Sequence, residues 1–176
     1  MIDIIPGLVI CNHEKGADNM KILACTDGSK HSKTTLEKAA LIAGGCQPKE
    51  VAVIHVTEGK RDSSSVSLFE MGSVTRDKTT ELDPDRLKRL QAVHEAQREK
   101  ILADALEIFE KNGVRVRTIL KQGHPAETIV KVAADEGFDL IIIGNRGLGG
   151  LQKMLLGSVG YAVIQEAKNC SVLMVK

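Results

Sequence analysis

Aromatic residues are nearly missing from this chain of 176 residues: they make up 2%, with no Trp, one Tyr and three Phe. Stacked aromatic platforms for single-stranded nucleic acid or for sugars are therefore not expected. An excess of charge is missing too. Lys and Arg number 24 against 23 Asp and Glu, a formal net charge of +1. A general polyanion binder usually carries a strongly basic face, so no nucleic-acid partner is expected. No apolar run reaches the 18 or so residues of a membrane span, and no membrane partner is expected. Four cysteines, Cys11, Cys25, Cys46 and Cys170, stand without CxxC spacing. They suggest neither a zinc site nor a disulfide framework. Cys25, inside an apolar segment, is expected to be an inert buried thiol. His31, His55 and His124 lie far apart and make no metal-ligand spacing. The chain opens Met1-Ile2-Asp3, with an acid where a secretory leader would be basic. A cytoplasmic location is expected.

What is present suits one folded domain: 43% hydrophobic and 27% charged residues. A chain this long buries roughly 70% of its unfolded surface and needs no disulfide or structural metal to fold. Residues 1–20 are a weakly patterned lead-in, and 21–176 are expected to form a single domain. Residues 21–26 are an apolar run that ends in the turn chemistry of Asp27-Gly28-Ser29. Leu36, Ala39, Ala40 and Ala43 then stand at helical spacing within 32–43, with Gly44-Gly45 as the expected stop. Residues 51–57 are a second strand. Residues 58–83, rich in Ser, Thr and charge, are expected to be a mobile surface insertion.

Asp83-Pro84 places proline at the first position of a long helix that runs to Asn112-Gly113. Its charged stretch, 85–100, is expected to be a solvated face. Strands follow at 114–120, 138–143 and 171–175, with helices at 126–136 and 158–167 between them. Strands alternating with helices, and apolar on both faces, imply a parallel sheet covered on both sides. The fold class is α/β: a five-stranded parallel sheet in a Rossmann-like open sandwich.

In such sheets ligands bind beyond the carboxyl ends of the strands, where the chain order reverses. That rule selects Thr26–Ser29 by position, the end of 51–57, and the glycine-rich loop after 138–143. The loop reads Gly144-Asn145-Arg146-Gly147-Leu148-Gly149-Gly150 and leads to Gly157-Ser158 at a helix start. Glycines let backbone approach a ligand and permit positive φ. A helix start favours an anion. The Ser158 hydroxyl suits a phosphate oxygen or a helix cap, and Arg146 suits a charge-assisted bond. A phosphate site and a plain capped turn both fit these residues. The loop is not a P-loop, because Gly-Lys-Ser/Thr is missing, and the first strand is not followed by GxGxxG.

Gly144-x-x-Gly147, nine residues, then Gly157-Ser158 resembles the nucleotide-binding signature of the universal stress protein family. Asp27-Gly28-Ser29, His55-Val56 and Gly123-His124-Pro125 resemble that family's other landmarks in order, over about residues 20–176. The resemblance implies ATP in the crevice, with Mg or Mn held mainly by its phosphates. It places Asp27 beside the nucleoside and the Val56 backbone at the adenine edge. Gly144 and Gly147 fall beside ribose and phosphates, and Gly157, Ser158 and Val159 in the triphosphate turn. Gly160 departs from the Ser or Thr common there, and Cys170-Ser171 from a common Cys-Pro or Lys-Pro. The resemblance also implies a homodimer through strand 171–175, placed at the sheet edge.

The function expected is a dimeric, ATP-binding, stress-response regulatory module without fast turnover. The alternatives are a slow ATP-cleaving enzyme and a nucleotide-free interaction scaffold of the same fold. Against an enzyme, no Ser-Gly-Gly-x-Asp-Ser loop follows the first strand and no catalytic base or metal cluster accompanies the glycines. Weak ATP hydrolysis is the most expected.

Overall fold

A computed structural model describes residues 19–58, 84–145 and 157–176. Residues 1–18 of the expected lead-in (1–20), 59–83 of the expected insertion (58–83), and 146–156, with Arg146 and Gly147, lie outside the described residues. The element order is β1 (Lys21–Thr26), α1 (Lys30–Cys46), β2 (Glu50–Thr57), α2 (Pro84–Lys111), β3 (Arg117–Gln122), α3 (Pro125–Asp135), β4 (Leu140–Gly144), α4 (Ser158–Glu166) and β5 (Ser171–Val175). All five strands are parallel, in the order β3-β2-β1-β4-β5. The chain therefore builds outward from β1 in one direction, then returns to add β4 and β5 on its other side. The reversal lies between β1 and β4, where this fold forms its crevice.

The central strands are apolar because both sheet faces are covered. On one face Leu23, Ile54, Ile141 and Ile143 pack under α3 and α4 with Ile129, Ala133 and Val163. On the other Ile22, Ala24, Val53 and Ile142 pack under α1 and α2 with Leu36, Ala40, Ala105 and Phe109. Each fully buried Ile or Leu contributes about 1.5–3 kcal/mol, so the two cores fix strand order and register. Cys25 is buried in the first core, and burial pushes its thiol well above the usual range, with Cys170 adding to the effect. It is therefore a protonated, unreactive thiol at neutral pH.

Two boundaries differ from the sequence expectation by three residues, and the others by less. Helix α1 does not stop at Gly44-Gly45 but runs through both to Cys46, and Gln47 closes it in the left-handed region at φ 48°. Tertiary packing outweighs the cost of glycine there: Gly44 lies beside the Asn112 carbonyl and Val114. Strand β3 begins at Arg117, not at Val114. Val114 and Val116 belong to the connector and pack against the α1 and α2 core.

A charged network ties the amino ends of the strands together. Lys21 Nζ lies 2.8 Å from Glu50 Oε2 and donates to the Glu136 carbonyl at 2.7 Å. Arg117 Nε donates to Glu50 Oε1 at 2.6 Å, and the same guanidinium pairs with Glu136. Hydrogen bonding to Lys21, then to Arg117, holds the Glu50 carboxyl below its ordinary range. Both cations also sit over the Phe138 ring, at 5.0 and 5.7 Å from its centre. The network braces this end of the sheet.

Candidate functional site

Strand β1 ends in a loop that is tightly held by its own hydroxyls. Thr26 Oγ1 accepts from the Gly28 N–H at 3.2 Å and donates to Ser32 Oγ at 3.1 Å. Asp27 Oδ1 accepts the Ser29 N–H at 2.9 Å, a turn that aspartate makes with its own backbone two residues on. Ser29 then caps α1, its side chain accepting from the Ser32 N–H at 3.1 Å. Gly28 takes φ +79°, so the turn needs glycine there. The buried His55 ring braces this loop from β2, with Nδ1 2.9 Å from the Thr26 carbonyl. A carbonyl only accepts, so Nδ1 carries the proton.

Val56 lies one residue beyond the last pairing of β2 with β1, while β2 stays paired with β3 to Thr57. Its side chain packs into the α3 and α4 core, which leaves its β1-facing backbone edge at the rim.

The β4 side of the crevice is joined directly to α4. Asn145 N–H donates to the Val175 carbonyl at 2.8 Å, and Gly157 N–H donates to the Asn145 carbonyl at 2.7 Å. The start of α4 is thus fastened beside Gly144. Gly157 stands at its N-cap and offers no side-chain cap, and its first turn holds no acidic residue. The first N–H groups of a helix have no partner within it. Those at Ser158 and Val159 lie at the positive end of the helix dipole, with Ser158 exposed, and such a start suits an anion.

Neither Gly144 nor Gly157 has positive φ; Gly157 sits at φ −72°, ψ 152°, an extended conformation open to any residue. Gly160, by contrast, is closely packed. A Cβ there would stand 3.1 Å from Met174 Cε and 3.4 Å from the Gly144 carbonyl. A side chain there would press on the flexible end of Met174, so this glycine has a packing role the sequence did not suggest. Six expected site residues, Asp27, Val56, Gly144, Gly157, Ser158 and Val159, lie on one rim at the ends of β1, β2 and β4 and the start of α4.

A separate cleft of about 480 Å³ opens between α1 and α2. It shares Thr26, Gly28 and Ser29 with the rim, but its lining includes none of the six residues just named. Its charged wall mixes Lys30, Lys33 and Lys111 with Glu37, Asp104 and Glu107, so it favours neither sign. That mixed wall makes it a weaker anion candidate than the helix start at Gly157. Among the described residues no group of three or more His, Cys, Asp or Glu is placed to hold a metal, and no helix is long and apolar enough to cross a membrane.

Universal stress protein YxiE of Bacillus subtilis is 32% identical over 158 residues, 89% of this chain and 98% of the relative. The solved structure of MJ0577, a universal stress protein of Methanocaldococcus jannaschii, superposes with a TM-score of 0.63 at 32% identity, covering 90% of this chain and 96% of the other. A universal stress protein of Archaeoglobus fulgidus, solved in complex with dAMP, shares the fold with a TM-score of 0.59 at 21% identity, covering 90% and 99%. The model of the Universal stress protein family matches residues 19–176, and the chain belongs to that family.

Proposed function

We propose that this protein is an ATP-binding regulatory module of the stress response. Adenine sits at the Val56 edge, ribose beside Asp27 and Gly144, and phosphates on the turn of Gly157, Ser158 and Val159, with Arg146 and Gly147 in the connecting loop. The observation that carries the reading is the uncapped start of α4, fastened through Asn145 to the end of β4 at the point where strand order reverses. The A. fulgidus relative bound to dAMP supports a nucleotide in this fold. A divalent ion, Mg or Mn, is held mainly by the phosphates. Nucleotide released from the purified, denatured protein and resolved by ion-exchange chromatography is expected to include ATP. Calorimetric titration of the stripped protein with ATP should then give saturable binding. An empty release profile together with a flat titration would refute the reading.

The protein is proposed to act as a homodimer through β5. That strand pairs with β4 on one side and forms the sheet edge, with Ser171 to Met174 half-buried. Exposed Ile164 and Tyr161 on α4 add apolar surface near it. Antiparallel pairing about a two-fold axis closes the edge on itself. Sedimentation equilibrium at micromolar concentration is expected to give twice the 19.0 kDa chain mass. A monomer that persists after removal of residues 1–20 counts decisively against the dimer.

A further inference from the structure

The nucleobase end of this rim has no aromatic wall among the described residues. Phe109 is fully buried in the core, Phe138 lies under Lys21 and Arg117 at the opposite end of the sheet, and Tyr161 is on α4 beyond β4. A purine face seated at Val56 can be covered by apolar side chains or by a guanidinium plane, which stacks on aromatic faces.

Helix α2 supplies such a group. It links the carboxyl end of β2 to the amino end of β3, so it runs against the strands and its first half extends past the rim. Ile101 marks the level of the rim: a Cβ on Gly28 would stand 2.6 Å from its Cδ1. Arg98 is one helical turn nearer the N-terminus on the same face. Helical side chains lean toward the N-terminus, which carries Arg98 outward past the β1 loop. From Lys88 to Lys100 every other residue is exposed, whereas Arg98 is half-buried. Its guanidinium makes no hydrogen bond or ion pair among the described residues. A half-buried arginine near the rim, with no hydrogen-bond or ion-pair partner among the described residues, is poised for a ligand.

We propose that Arg98 closes the nucleobase end of the crevice by stacking its guanidinium on the adenine ring. The proposal rests on the ATP-binding reading above. It is tested by calorimetric titration of ATP and, separately, adenosine into the wild type, Arg98→Ala and Arg98→Lys. Alanine is a strong helix former on a half-exposed face, so both variants should fold, as a circular dichroism melt will confirm. Stacking predicts a loss of about tenfold for both ligands in Arg98→Ala. Lysine, which keeps the charge but not the plane, restores little. Unchanged affinity in Arg98→Ala, with a wild type that binds, overturns the proposal and leaves the nucleotide site standing. A loss confined to ATP and repaired by lysine also overturns it, since that pattern reports charge on phosphate. A wild type that binds neither ligand overturns the nucleotide site and this inference together.

Discussion

Ser158→Pro is expected to weaken ATP binding by about 10- to 100-fold while leaving the fold intact, because a hydrogen bond to a charged group is worth about 1.5–3 kcal/mol. The substitution removes one N–H and one hydroxyl from the turn proposed to hold the phosphates. It does so where proline is tolerated. Ser158 is the first residue of α4 and is exposed, and the first helical position has no intrahelical N–H bond to lose. The residue before a proline must be extended, and Gly157 already is, at φ −72°, ψ 152°. Ser158→Ala separates the two donors: it deletes the hydroxyl alone and should cost less. Adenosine supplies the second control, since it lacks phosphate and its affinity should barely change. Calorimetry that gives equal ATP affinities for the wild type and a folded Ser158→Pro would remove the phosphate assignment from this helix start. Gly157→Val adds no backbone strain, since valine is at ease in extended backbone. What it probes is the space beside the turn.

The parts of this fold that the sequence reveals are those in which local pattern and burial agree. Strands β1, β2 and β4 are apolar on both faces because both faces are covered, and their residues announce a parallel sheet directly. Strand β3 is an edge strand with only Ile119 buried. Its apolar signal comes from Val114 and Val116, whose burial serves the opposite core and not the ladder, so the pattern places the strand too early. Gly44-Gly45 misleads in the same way, because the buried face of Leu36, Ala39, Ala40 and Ala43 holds α1 on the core and carries the helix through both glycines.

At the rim, the glycine loop and the Asp27 turn are visible as motifs. The brace from His55 to Thr26, the contact of Ile101 with the Gly28 turn and the packing of Gly160 are not. Each joins residues distant in sequence, and no local spacing encodes such a contact. Arg98 is hidden for a related reason. Within a run of charged residues it has nothing to distinguish it, and only its partial burial in the fold sets it apart.

Gly28→Val should be the most destabilising single change at the rim, lowering stability by about 2–3 kcal/mol and the melting temperature by roughly 5–10 °C. Two costs combine. The backbone at φ +79° is a conformation that L-residues, and β-branched ones above all, resist. The new Cβ would also stand 2.6 Å from Ile101 Cδ1 and 2.8 Å from its Cγ1, far inside normal contact. These costs are separable, because Ile101 is a flexible side chain and the backbone is not. If crowding dominates, Ile101→Ala in the Gly28→Val background recovers part of the loss beyond the sum of the two single changes. If backbone strain dominates, the effects simply add. We expect strain to dominate, since the Ile101 chain end can rotate aside at the cost of a rotamer change, about 0.5–1.5 kcal/mol, whereas the turn that presents Asp27 has no alternative path between Thr26 and the Ser29 cap. Urea unfolding of the four proteins in this cycle measures both terms. A Gly28→Val protein as stable as the wild type would show that the turn does not depend on its left-handed glycine.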